Sequence, residues 1–196
     1  MNKIGYFVVG AMMMVSGLVF GAEPAPAAAP QGSAVSTAKK ILVVYYSRTG
    51  NTKKVAEEAA RILGADVEAL IDKKDRSGVG GYVGAGKDAT QKKLADIEPV
   101  KTDASKYDLV VIGTPVWGWN MTPAVRTYIA NNKAVLKQIA VFTTAGGTKP
   151  DKIVAAIEEL AGKKALAFEG FFQGEIKDKN SAKYEDKLHA FLAKLR

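Results

Sequence analysis

Six consecutive residues, Ile41-Leu42-Val43-Val44-Tyr45-Tyr46, are all β-branched, aliphatic or aromatic, and a polar turn and an amphipathic segment follow them at once. A strand wetted on one face alternates apolar and polar side chains. An unbroken apolar run instead marks a strand buried on both faces, as in a parallel sheet covered by helices. After the turn at 47–51, Val55, Ala56, Ala59, Ala60 and Leu63 recur at helical spacing, and Gly64 supplies a stop. Strand, polar turn and helix make one βα unit, and the alternation continues. A short strand is expected at 66–71, a buried one at 109–113, a helix at 123–130 with Pro123 in its first turn, and a strand at 138–143. A helix at 151–160 ending at Gly162 and a strand at 165–172 follow. A closing helix at 181–195 sets Tyr184, Leu188, Phe191, Leu192 and Leu195 on one stripe. Together these predict an α/β fold, a doubly wound five-stranded parallel sheet of order 2-1-3-4-5. Residues 73–106, with Gly78, Gly80, Gly81, Gly84 and Gly86 around Tyr82, read as a flexible surface connection, because no apolar strand leads into their glycine spacings.

The chain's 196 residues allow one domain with appendages. With no cysteine and one histidine, His189, disulfides, thiolate metal sites, iron–sulfur clusters and cysteine nucleophiles are excluded. Redox chemistry here requires a borrowed cofactor. The net charge of +8 favours acidic partners. The lysines, however, are scattered pairs beside acids such as Lys73-Lys74 and Lys163-Lys164, without the basic runs and interleaved aromatics of a nucleic-acid surface, so no nucleic-acid partner is expected.

Residues 1–21 have the parts of a signal peptide: Lys3, an apolar stretch from Ile4 to Phe20, then small residues that fit cleavage between Gly21 and Ala22. The alternative is an uncleaved N-terminal membrane tether, and both readings export the domain, to the periplasm. Residues 22–38 are an Ala/Pro-rich spacer that cannot join a packed core, so the folded domain spans 39–196.

In an open sheet of this order, ligands bind beyond the carboxyl ends of the strands, between the first and third. Ser47-Arg48-Thr49-Gly50-Asn51-Thr52 follows the first strand with three hydroxyls, a glycine for a sharp turn and a helix start whose amides favour an anion. This is a phosphate cradle without the spacing of a triphosphate-binding loop. Thr114-Pro115-Val116-Trp117-Gly118-Trp119-Asn120 follows the third strand. Its tryptophans suit a flat aromatic ligand, or equally a cluster that packs the loop down. Thr143-Thr144-Ala145-Gly146-Gly147-Thr148 follows the fourth strand, with small residues that let backbone amides approach a ligand.

These three motifs together resemble the flavodoxin family, over about residues 39–196. The resemblance implies FMN as cofactor. Ser47, Thr49, Asn51 and Thr52 would hold its phosphate, with the backbones of Arg48 and Gly50 completing the loop. The segment Thr114, Pro115, Val116, Trp117 and Gly118 would face the isoalloxazine, Trp117 lying against it. Thr144, Ala145, Gly146 and Gly147 would approach the pyrimidine edge. The third loop lacks the aromatic that often covers the outer flavin face. Trp119 is the available substitute, and otherwise that face is open to substrate. Flavodoxins that shuttle electrons are usually acidic, whereas this chain is basic.

The function implied is electron transfer through FMN, with a redox partner protein or a small-molecule acceptor. An NAD(P)H-dependent FMN or quinone reductase is the alternative, and a non-enzymatic envelope module that has lost the flavin is a third reading.

Overall fold

The structure, a computed structural model, describes residues 39–178 and 181–196. The signal peptide and the linker expected in residues 1–38 lie outside the described residues. Among the described residues, five strands and six α-helices follow in the order β1 (Ile41–Tyr45), α1 (Asn51–Leu63), β2 (Asp66–Ala69), α2 (Gly78–Thr90), β3 (Leu109–Pro115), α3 (Pro123–Asn132), β4 (Gln138–Ala145), α4 (Asp151–Ala161), β5 (Ala165–Phe172), α5 (Gln173–Lys177) and α6 (Ala182–Ala193), with one 3-10 turn at Ala104–Lys106 before β3. The strands pair in parallel in the order β2-β1-β3-β4-β5, the doubly wound sheet expected from the sequence.

Each unbroken apolar run feeds two cores, because successive side chains point to opposite faces. Ile41, Val43 and Tyr45 of β1 join Leu109 and Val111 of β3 beneath α1 and α6. Leu42 and Val44 join Val110 and Ile112 on the other face, beneath α3 and α4. Register places Tyr45 beside Gly113 and Pro115 beside Thr144, so the loops after β1, β3 and β4 emerge together at one edge.

Two elements differ from the sequence reading. β2 ends at Ala69 rather than 71: Leu70 still donates its amide to Tyr45, but the next residues turn to pair with 96–98, the Ile71 carbonyl accepting from Glu98 and Asp72 bridging to Ile97. Part of the connection read as flexible, 78–90, is the helix α2. Five of its 13 residues are glycine, each costing about 1 kcal/mol in a helix interior. Tertiary contacts override that. Ala85 and Ala89 are buried in the core shared with Leu42, Val44 and α3, and Asp88 accepts from the Arg76 guanidinium at 2.6 Å. Arg76 also grips Asp72 at 2.8 Å. Gly81 lies so close to the Arg76 backbone that a Cβ there would overlap it.

Candidate functional site

The loop after β1 is built to leave backbone amides free. Gly50 adopts φ +90°, a conformation open to glycine, and its amide donates to the Ser47 hydroxyl at 3.2 Å. α1 therefore starts without a side-chain cap and without an acidic residue in its first turn. Its first amides thus have no side-chain cap and its positive dipole end no competing carboxylate, an arrangement that suits an anion. Thr49 and Gly50 are exposed and Asn51 is half-buried. Thr52 is buried, and its hydroxyl lies 2.7 Å from that of Thr144, tying the start of α1 to the end of β4.

The loop after β3 is a tight hairpin. Trp117 and Asn120 exchange both backbone hydrogen bonds at 3.0 Å, and the two residues between them, Gly118 (φ +52°) and Trp119 (φ +58°), both have positive φ, as a type I′ turn requires. A side chain on Gly118 would be strained and would also overlap the Thr90 hydroxyl and Gly86 carbonyl of α2. The Gly118 carbonyl accepts from Thr90 Oγ1 at 3.3 Å. The turn puts the two tryptophans in opposite surroundings. Trp117 is 9% exposed, edge-on to Tyr46 with ring centroids 5.4 Å apart, whereas Trp119 is 79% exposed. Burial and the nearby Asp72 carboxylate raise the Tyr46 phenol above its ordinary range.

One cavity of about 730 Å³ lies at this edge, in the size range of small-molecule sites. From the sequence-derived residues it gathers Arg48, Thr49 and Asn51 of the first loop, Pro115, Val116, Trp117 and Gly118 of the second, and Thr144, Ala145 and Gly146 of the third. Ser47, Gly50, Thr52, Thr114 and Gly147 do not line it. Thr114 is fully buried and accepts from the Thr122 amide. Trp119 lines a separate hollow with Lys149 and Lys152.

The fourth wall was missed in the sequence: Tyr82, Val83, Gly86 and Lys87 of α2, with Gln173 also lining the cavity. Ala85, Asp88 and Ala89, at helical spacing, were the available signal, masked by the glycines. Tyr82 is 61% exposed, and the Arg48 guanidinium carbon sits 4.8 Å from its ring centroid and 5.7 Å from that of Trp117. Arg48 is thus turned into the aromatic side of the cavity. Uncapped amides, neighbouring hydroxyls, close-approach glycines and a part-buried tryptophan form a donor set that fits a phosphorylated flavin.

The flavodoxin family model Flavodoxin_4 matches residues 40–188. No curated protein sequence matches the chain. Among solved structures, a flavoprotein from Lactobacillus acidophilus NCFM, crystallised in complex with FMN, aligns at TM-score 0.61 and 24% identity, covering 78% of this chain and 99% of that one. The apo-form of the flavoprotein from the same organism, solved by NMR, aligns at TM-score 0.56 and 26% identity over 71% of this chain and 97% of its own.

Proposed function

The chain belongs to the flavodoxin family, and from that premise we propose that it binds FMN in the cavity walled by the loops after β1, β3 and β4 and acts in electron transfer. The carrying observation is the start of α1, whose amides have neither a side-chain cap nor a neighbouring acid and which follows a hydroxyl-rich loop. A phosphate is the group that such a terminus accepts. FMN supplies two-electron and one-electron chemistry that no side chain of this cysteine-free chain offers. The protein's own residues bind, orient and shield. Thr49 and Asn51 would hold the phosphate, Trp117 would pack on the ring system, and the small residues Thr144 to Gly146 would let backbone amides reach its edge.

A second reading, an FMN-dependent reductase for a small acceptor such as a quinone, is favoured by the cavity, whose α2 side is walled by the exposed Tyr82 rather than sealed by an aromatic of the third loop. Export to the periplasm belongs to the same proposal and rests on the leader-like residues 1–21.

Titration of the purified protein with FMN tests the central reading. Uptake near one to one with quenching of flavin fluorescence is expected. A correctly folded protein that takes up no FMN would instead be the non-enzymatic module.

A further inference from the structure

Arg48 and Lys87 line the cavity, no Asp or Glu lines it, and neither cation pairs with a carboxylate among the described residues. The acids nearby are already engaged. Asp88 takes Arg76 at 2.6 Å, Lys74 at 3.0 Å and Lys93 at 3.3 Å, and Asp72 takes Arg76. The cavity lining therefore carries a positive excess, from the half-buried Arg48 and the exposed Lys87. Arg48 is half-buried, and its one hydrogen bond to the protein is a long one, from Nη1 to the Arg76 carbonyl at 3.4 Å. A guanidinium has five N–H donors, so most of its capacity is open.

The phosphate of FMN does not account for this charge. On the FMN reading its site is the start of α1, whereas the Arg48 guanidinium lies over Tyr82 and Trp117 and Lys87 stands on α2. FMN has one phosphate, which leaves two cations and the exposed ring of Tyr82 for another molecule. Arg guanidinium beside an aromatic face is suited to a flat ring that carries a carboxylate, sulfonate or phosphate.

We propose that the second reactant at this site, the compound that meets the flavin, is a flat-ringed anion, its charged group held by Arg48 and Lys87 and its ring laid against Tyr82. The proposal rests on the FMN reading and names the substrate class of the same site.

The test is equilibrium binding to protein saturated with FMN, read as the change in flavin absorption at low ionic strength. The probes are anthraquinone-2-sulfonate and the neutral 2-(hydroxymethyl)anthraquinone. The anion is expected to bind about tenfold more tightly, the value of one charge-assisted hydrogen bond, and added salt should shrink the difference. Arg48→Gln combined with Lys87→Gln should bring the ratio of the two affinities near one. Lys106→Gln, on an exposed lysine that precedes β3 and does not line the cavity, should leave the ratio unchanged. Equal affinities for the two probes, or a preference that survives the double substitution, overturns the proposal while FMN binding stands. Weakened FMN uptake in Arg48→Gln with an intact probe ratio also overturns it and assigns Arg48 to the cofactor. Failure of the unsubstituted protein to take up FMN overturns the flavin reading itself, and this proposal falls with it.

Discussion

Thr49, in the loop after β1, and Thr52, in the first turn of α1, stand in different surroundings. Thr49 is exposed at the cavity, whereas Thr52 is 1% exposed and shares a hydrogen bond with Thr144. Thr49→Ala should weaken FMN about tenfold or more, because a hydrogen bond to a charged phosphate contributes roughly 1.5–3 kcal/mol, and should barely change the affinity for phosphate-free riboflavin. Thr52→Val should cost stability as well, leaving the Thr144 hydroxyl buried without its partner, at about 1–3 kcal/mol. Calorimetric titration with the two flavins, beside melting curves, separates these outcomes; equal losses of FMN and riboflavin for Thr49→Ala would assign Thr49 to the fold. The hydroxyl spacing of this loop was legible in the sequence because it is local. The attachment of Thr52 was not, because its partner lies 92 positions away. The tryptophans give the same lesson: their flanking of Gly118 was visible, but which ring faces inward is decided by the positive φ of the two turn residues between Trp117 and Asn120.

At the scale of elements, the strands were readable because burial on both faces removes polar alternation, and α2 was not, because its stability comes from contacts made outside it. Glycine content argued for a loop, and Arg76, Asp72 and Asp88 overrode it. The glycines of α2 are accordingly not equivalent. At Gly80 and Gly84 a Cβ meets nothing within 4 Å, so Ala there should stabilise by about 0.5–1 kcal/mol. Gly81→Ala should destabilise, since its Cβ would overlap the Arg76 backbone. Melting temperatures check the opposite signs. Asp88 adds a pH dependence. Hydrogen bonds from Arg76 and then Lys74 hold its carboxyl well below the usual carboxylate range. A carboxyl with a depressed folded-state pKa stabilises fully above its unfolded value, near pH 4, and loses that contribution as pH falls. Melting temperature should therefore decline below about pH 4, and Asp88→Asn should flatten that limb while costing roughly 1.5–3 kcal/mol at neutral pH. An unchanged acid limb in Asp88→Asn would show that other carboxylates set it.

For the whole molecule, the two cores formed by the described residues together run from β1 to the last helix, which completes one of them. Tyr184, Leu188, Phe191 and Leu192 of α6, with Leu195 after it, are each at most 3% exposed and pack with Ile41, Val43 and Tyr45 of β1 and Leu109 and Val111 of β3. The stripe was legible at helical spacing, and its destination followed from the doubly wound topology, which must cover both faces of the sheet. Polar contacts fasten the same end: Lys39 Nζ donates to the Leu195 carbonyl at 3.2 Å, the Tyr184 hydroxyl to Glu58 at 2.8 Å and the Arg196 guanidinium to the Ile62 carbonyl at 2.9 Å. Fully burying an apolar side chain of this size contributes about 1.5–3 kcal/mol, so removing five removes a sum comparable to the roughly 5–15 kcal/mol net stability of a typical domain. Deleting 181–196 should therefore abolish cooperative unfolding, and Leu188→Ala alone should cost about 2–5 kcal/mol, both read by circular dichroism melts. Deleting 1–38 should instead leave the melting temperature and FMN affinity of the remaining protein unchanged, because among the described residues the apolar runs of both cores begin at Ile41 and 22–38 reads as a spacer. A large loss of stability on that deletion would show that the Ala/Pro segment packs on the domain, contrary to its reading as a spacer.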